Sequence, residues 1–216
     1  METKVKNSYI FGIDEVGRGP IAGPVCVCSF ALEKESYKDF VSKSQEHLNL
    51  EIRDSKKLTK IQRHKWFDFL SEQKKNGKCF FNFSFVSSSN IDKFGISKCI
   101  QRALDESLDK TILDIKNKNE GKDFNFRILL DGGLKARDVF DDQETFVKGD
   151  EVHPVISFAS VVAKVSRDKV MANFSKEYAH YGFEKNSGYG TSSHYSAIKD
   201  HGLSKIHRKS FIHLGL

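Results

Sequence analysis

Ile13-Asp14-Glu15-Val16-Gly17-Arg18-Gly19 joins the end of an apolar segment to two adjacent carboxylates and a glycine-arginine-glycine turn. Carboxylate oxygens are the ligands that Mg²⁺ prefers. Glycine lets a backbone approach a ligand closely, and arginine binds phosphate. Cation ligands, accessible backbone and a phosphate-binding side chain within one turn therefore predict phosphodiester chemistry.

The segments on either side of this turn predict two strands, at 9–13 and 23–32, joined by a hairpin-like connection over 17–24. The second is apolar on both faces, which is typical of an interior strand. One face carries Val25, Val27 and Ala31, and the other carries Cys26, Cys28, Phe30 and Leu32.

The rest of the chain predicts strands alternating with helices. We expect strands at 79–85 and 126–130, an irregular charged stretch at 135–151, and a loop at 182–191. We expect helices at 59–75 with Thr59 as N-cap, at 96–115, at 159–181, at 195–201 and near His207. This order predicts an α/β fold in which helices flank a mixed sheet.

Composition sets the broad class of protein. The formal net charge is +6, a modest excess that fits either a polyanion-binding face or a solubilising surface. All four cysteines lie in apolar runs, which predicts buried free thiols and a reducing, cytoplasmic location. No apolar run reaches the length of about 18 residues that a membrane span needs, so we expect no membrane association.

A second carboxylate, Asp131, also ends an apolar run and is followed by glycines. Functional sites of α/β sheets gather at the carboxyl ends of strands, so Asp14, Glu15 and Asp131 predict one metal pocket. Consecutive strand side chains point to opposite faces, so we expect the backbone to turn directly after Asp14. The alternative is that each acidic end is an ordinary solvated turn.

Ser160, Lys164 and Asp168 recur at helical spacing and predict one helix face. On this basis Asp168 is either a fourth carboxylate of the pocket or one half of a surface pair with Lys164.

Three further segments allow both a binding and a structural interpretation. Ser55 and Lys56 precede a helix and suit a phosphate, or they form part of its cap. Tyr189 lies between glycines and suits stacking on a sugar or base, or packing. The basic run 205–211 suits a nucleic-acid backbone, or a solubilising tail.

Five motifs in this order resemble those of bacterial ribonuclease HII, a type 2 ribonuclease H. They are GIDEVGRGPIAGPV, RDSKKLT, LLDGG, KGDEVHPVISFASVVAKVSRDKVM and YGFEKNSGYGTSSHYSAIKDHGLSKIHRKSF. Two positions depart from the family pattern: Phe158 replaces a small residue, and Ser187 replaces a frequent lysine.

The resemblance implies a ribonuclease H-like catalytic domain at 1–181 and a helical C-terminal extension at 182–216 packed on it. It implies an enzyme that cleaves RNA in RNA–DNA hybrids and single ribonucleotides in duplex DNA. We expect the protein to be a monomer. The family's catalytic and metal-binding carboxylates map onto Asp14, Glu15, Asp131 and Asp168. Its substrate contacts map onto Gly17, Arg18, Gly19, Ser55, Lys56, Ser160, Lys164 and Tyr189.

We expect two Mg²⁺ or Mn²⁺ ions, with products carrying 5′-phosphate and 3′-hydroxyl ends. The backbone of residues 17–19 would meet the ribose 2′-hydroxyl, and Tyr189 would stack on the following deoxyribose. Two rival readings are a nuclease restricted to long hybrids and a nucleic-acid-binding module without turnover.

Overall fold

A computed structural model describes residues 7–52, 55 and 57–212 and shows a mixed sheet of five strands in the order β3-β2-β1-β4-β5. The first three strands pair antiparallel, whereas β1 with β4 and β4 with β5 pair parallel. The strands are β1 Ser8–Val16, β2 Val25–Glu33, β3 Phe80–Val86, β4 Asn125–Asp131 and β5 Gln143–Phe146.

Helices cover both faces of the sheet, and further helices form the C-terminal segment. The helices are α1 Tyr37–Leu48, α2 Lys60–Lys75, α3 Ser88–Phe94, α4 Ile96–Lys118, α5 Gly149–Val152, α6 Pro154–Glu177, α7 Phe183–Asn186 and α8 Ser192–His201. Short 3₁₀ turns lie at Ala179–Tyr181 and Lys209–Phe211. None of the helices in the described ranges combines the length and hydropathy of a bilayer span.

The two faces of β2 lie in two separate cores, as its alternating pattern predicts. Val25, Val27 and Ala31 pack in one core with the buried face of α4. Cys26, Cys28, Phe30 and Leu32 pack in the other with α2 and α6. The prediction of buried free thiols is confirmed for all four cysteines.

Phe158, the large residue at a usually small position, lies at the centre of an aromatic cluster. Its side chain is fully buried, and its ring centroid is 5.0 Å from Phe30, 5.6 Å from Trp66 and 5.9 Å from Phe40. Aromatic pairs at such separations stabilise a core beyond the area they bury. The departure at 158 is thus matched by rings on three other elements.

The predicted start of α2 is confirmed by a capping box. Thr59 Oγ1 accepts from the Gln62 amide at 3.2 Å, and Gln62 Oε1 accepts from the Thr59 amide at 2.8 Å. These two bonds satisfy amides that a helix start leaves without partners.

Other boundaries differ from the sequence-based expectation. The stretch 135–151 contains β5 and α5 and is not irregular throughout. Helix α6 begins at Pro154, five residues earlier than predicted, and the loop 182–191 contains α7. Helices α1 and α3 were not predicted. Strand β5 has little apolar pattern of its own and forms by pairing with β4, which local sequence does not reveal.

The C-terminal segment packs on the loop between β1 and β2. Buried Ile21 and Ala22 of that loop share a core with Met171 and, from the C-terminal side, Tyr181, Phe183, Ala197, Ile198 and Ile206. A histidine pair lies within it: His194 Nε2 is 3.0 Å from His207 Nε2. His207 Nδ1 accepts from the Ser204 amide, so His207 Nε2–H donates to His194, and His194 Nδ1–H donates to the Tyr189 carbonyl.

Gly12→Ala should destabilise the fold. A Cβ on Gly12 would overlap the carbonyl group of Val155, where β1 meets the start of α6, and backbone on both sides cannot move aside. We expect the free energy of unfolding in urea to fall by about 2–3 kcal/mol. Gly133→Ala is the control, because its Cβ would meet nothing within 4 Å, and it should change stability by less than about 0.5 kcal/mol. Equal effects of both substitutions would contradict this packing.

Stability should also fall in mild acid because of His207. Burial, and then the neighbouring His194, lower the pKa of His207 from 6.5 to about 4. Between these two pKa values, His207 binds a proton in the unfolded chain but not in the folded chain. The contribution of neutral His207 to the free energy of unfolding is therefore complete above pH ~6.5 and is lost as the pH falls towards 4. Between pH 7 and 5 we expect His207→Gln to lose less unfolding free energy than the parent, by about 1–2 kcal/mol. Parallel pH profiles in urea unfolding would refute the assignment.

Candidate active site

The parallel pairing of β1 and β4 brings two acidic strand ends to one edge of the sheet. Ile13 lies opposite Leu130 in the register, and Asp14 and Asp131 come next on their strands. Carboxyl ends of parallel strands meet at the same edge, where α/β proteins place their sites. The structure thus brings together the two carboxylates that the sequence places far apart.

Asp14 is buried, with 5% of its surface exposed. Its Oδ1 accepts from the Glu15 amide at 2.7 Å, and its carboxyl group also bonds the Ser160 hydroxyl. Burial raises the pKa of Asp14 well above its usual value; the Ser160 bond opposes this, and the carboxylates of Asp131, Glu15 and Asp150 add to it. The charged form of Asp14 therefore needs a nearby cation.

The prediction that the backbone turns directly after Asp14 is wrong, because Glu15 still lies within a strand. Strand β1 continues to Val16, and Glu15 remains paired with Val27 of β2. The Glu15 carboxylate still interacts with the charged groups at this edge of the sheet. Burial raises the pKa of Glu15, Arg18 lowers it, and Asp131 raises it. Arg18 Nη1 lies 3.5 Å from Glu15 Oε1. The pairing of β1 with β2 keeps β1 regular through Val16, and local sequence does not show how far this pairing extends.

Asp131 is anchored by the segment that follows β5. Its Oδ1 accepts from the Gly149 amide at 2.6 Å, and a Cβ on Gly149 would lie 2.7 Å from Ile156 Cδ1. The next residue, Asp150, is buried and contributes to the raised pKa of Asp14. Sequence reasoning missed Asp150, because it lies in a charged stretch that was expected to be irregular.

The donor set suits a hard divalent cation. Asp14, Glu15 and Asp131 offer carboxylate oxygens, and their mutual repulsion is the kind that a bound cation relieves. Across 7–52, 55 and 57–212, no three acidic, histidine or cysteine side chains already form a closed metal-binding group. Asp14 and Asp131 accept hydrogen bonds from the protein, which orient the two carboxylates and leave lone pairs for a cation.

Asp168 forms an ion pair with Lys164, as the helical spacing allows, but the pair is not the surface pair that the sequence left as one possibility. Lys164 Nζ lies 2.6 Å from Asp168 Oδ1, and both side chains are mostly buried. A cavity of about 190 Å³ adjoins the pair and is lined by residues that include Lys60, Arg63, Glu184 and Lys185. Membership of Asp168 in the metal site stays a prediction.

Ser55 and Ser160 lie behind Asp14 and not at the surface. Both are buried, and their hydroxyl oxygens are 2.7 Å apart. Ser160 bonds Asp14 and Ser55 bonds Ser160, and contact of either serine with a substrate stays a prediction. Lys56 lies outside the described residues.

The glycine-arginine-glycine turn and Tyr189 are neighbours on the surface. Gly17 is buried at a φ of +91°, and a Cβ there would overlap Arg167 Nε. Arg18 and Gly19 are exposed. A Cβ on Gly19 would lie 3.7 Å from Tyr189 Cε1, and the tyrosine is 50% exposed. The two elements predicted to contact substrate thus form one exposed surface.

Two buried arginines behind this surface were not predicted as part of the site. Arg167 is 1% exposed and Arg208 0%. Arg208 belongs to the basic run 205–211, whose composition does not distinguish a buried cation from a surface one. Arg208 is buried because backbone carbonyls of the loop between β1 and β2 accept its hydrogen bonds, and these contacts exist only in the folded structure.

This chain is similar to known proteins over the region that contains the five motifs. The family model described as ribonuclease HII matches residues 11–214. Ribonuclease HII of Clostridium tetani is 36% identical over 95% of this chain and 68% of that protein. The Fusobacterium nucleatum enzyme is 38% identical over 94% of this chain and 85% of its own length.

Solved structures share the fold. Ribonuclease HII in the PCNA:RNase HII complex from Archaeoglobus fulgidus superposes with a TM-score of 0.68 at 22% identity, covering 94% of this chain and 95% of that one. Bst-RNase HIII in complex with Mn²⁺ gives 0.71 at 17% identity, covering 96% and 68%. The fold is that of ribonucleases H, and the chain belongs to the ribonuclease HII family, a family of hydrolytic endonucleases.

Proposed function

We propose that this protein cleaves the RNA strand of RNA–DNA hybrids and also cuts duplex DNA at single embedded ribonucleotides. The products carry 5′-phosphate and 3′-hydroxyl ends. The observation that carries the proposal is the acidic edge of β1 and β4, bordered by the exposed turn at 17–19 and by Tyr189. Cation-binding groups and a surface for a sugar-phosphate backbone thus adjoin each other.

Asp14, Glu15 and Asp131 would hold Mg²⁺ or Mn²⁺ in this proposal, and Asp168, which is paired with Lys164 here, would complete the set. The chemistry that two such ions supply when bound is activation of the attacking water and stabilisation of the departing 3′ oxygen. Ser160 orients the Asp14 carboxylate, and the Gly149 amide orients that of Asp131.

Recognition of the ribose falls to the exposed turn. The backbone of Gly17, Arg18 and Gly19 meets the 2′-hydroxyl, the group that distinguishes RNA from DNA. Arg18 also binds phosphate. Tyr189 stacks on the sugar of the following deoxynucleotide, which favours a ribo-to-deoxy junction. In this proposal Lys56 and Lys164 contact the adjacent phosphates, and the buried Ser55 and Ser160 contribute from behind Asp14.

The proposal extends to the organisation of the protein. The catalytic domain comprises 1–181, and 182–216 is a C-terminal extension packed on it. The core shared by Ile21, Met171 and Phe183 supports the packing of this extension on the catalytic domain. The protein acts as a monomer in the cytoplasm.

Cleavage should require a divalent cation and Asp131. With a duplex that carries one ribonucleotide, the parent protein should produce a single cut in Mg²⁺ or Mn²⁺ and none in EDTA. Asp131→Asn should lower turnover by about 10²-fold or more, because it removes a charge that stabilises the transition state through the cation. Binding of the duplex should persist.

Asp138→Asn is the matched control, because Asp138 is an exposed acid paired with Lys135 and lies outside the site. It should cleave at the parent rate. Cleavage by the parent in EDTA, or normal turnover by Asp131→Asn, would disprove the metal assignment. Cleavage of long hybrids alone would favour the hybrid-restricted nuclease.

Tyr189→Ala should impair cleavage at a single ribonucleotide more than cleavage of a long hybrid. Stacking on an aromatic ring contributes about 1–3 kcal/mol, so we expect a loss of about tenfold at the single ribonucleotide. Tyr189→Phe keeps the ring and should stay near the parent rate. Equal losses on both substrates, measured by initial rates, would count against junction recognition.

A further inference from the structure

Arg208 donates three hydrogen bonds, and all three go to backbone carbonyls of the loop between β1 and β2. Nη2 bonds the Gly17 carbonyl at 2.7 Å, Nη1 bonds that of Arg18 at 3.0 Å, and Nε bonds that of Gly23 at 2.9 Å. The Arg208 amide also donates to the Ile21 carbonyl at 2.8 Å. A fully buried cation therefore spans the loop that carries the glycine-arginine-glycine turn.

These bonds set the direction of the amides in the turn. In a planar trans peptide, a carbonyl and the amide of the next residue point to opposite sides. Because the carbonyls of Gly17 and Arg18 point inward to Arg208, the amides of Arg18 and Gly19 point away from it. Both residues are exposed, and neither amide has a hydrogen-bond partner within the described part of the chain.

Arg167 connects the same loop to the segment of Tyr189. Its guanidinium bonds the carbonyls of Pro24 at 2.8 Å, Ala22 at 3.3 Å and Ser187 at 2.9 Å. The Gly188 carbonyl accepts from the amides of Ile21 and Ala22. The turn and the tyrosine are therefore held as one unit by buried donors.

We propose that Arg208 is a positioning residue for ribose recognition, which holds the turn so that the amides of Arg18 and Gly19 are directed at the substrate 2′-hydroxyl. This inference rests on the proposed function. Arginine suits the task because its planar guanidinium offers five donors in a fixed geometry, whereas lysine carries a single nitrogen. Arg208 itself has no access to the substrate, since it is fully buried.

The test compares Arg208→Ala and Arg208→Lys with Lys122→Ala, which removes an exposed cation before β4, at the opposite end of that strand from Asp131. We expect kcat/KM at a single ribonucleotide to fall by about 10²-fold in both Arg208 variants, because small misplacements of recognition groups have effects of this size. Lys122→Ala should stay within about twofold, since surface substitutions have small effects. Melting temperatures of all variants are measured alongside.

Two readouts separate positioning from a general loss of stability. In an Asp131→Asn background, the ratio of affinities for ribonucleotide-containing and all-DNA duplex should fall towards one in the Arg208 variants. Guanidinium at a low, non-denaturing concentration should partly restore cleavage by Arg208→Ala, with sodium at equal ionic strength as control. An Arg208→Ala protein that does not fold leaves Arg208→Lys to carry the affinity test.

Parent-like cleavage or an unchanged affinity ratio in Arg208→Lys would overturn the inference. A parent protein that cleaves no ribonucleotide-containing duplex would refute the proposed function, and the inference with it. A parent that cleaves while the Arg208 variants also cleave normally refutes the inference alone.

Discussion

The parallel pairing of β1 with β4 is the interaction on which the site depends. It aligns Ile13 with Leu130 and so brings Asp14 and Asp131 to one edge, although they lie far apart in the chain. Helix α6 packs directly against β1 at Gly12, where a side chain would overlap the Val155 backbone. A change that separates β1 from α6 or β4 would disperse the acidic groups.

The site buries both negative and positive side chains, and the structure compensates the carboxylates and the arginines in different ways. Burial, together with neighbouring carboxylates, raises the pKa of Asp14 and of Glu15, and a nearby cation would stabilise their charged forms. The buried arginines are compensated within the protein, because backbone carbonyls of the β1–β2 loop and of Ser187 accept their hydrogen bonds. The first kind of burial suits the proposed catalysis, and the second holds the loop that carries residues 17–19 in place.

Local patterns predicted a large part of the fold. The two faces of β2 followed from strict alternation, and the start of α2 followed from Thr59 and Gln62, three residues apart. Elements that depend on a partner were missed or misplaced: β5 forms only against β4, and β1 continues past Asp14 because β2 pairs with it. Phe158 shows the same limit, since three rings from other elements accommodate it.

The sequence by itself determined the class of fold, the family, and which carboxylates and glycines are candidates for the site, because periodicity, caps and ordered motifs are written along the chain. The tertiary structure decided that Glu15 stays within a regular strand, that Lys164 holds Asp168, and that Arg208 is buried and not a surface cation. The physical reason is that each of these depends on which backbone carbonyls and charges surround a side chain. That surrounding exists only once distant segments have packed together.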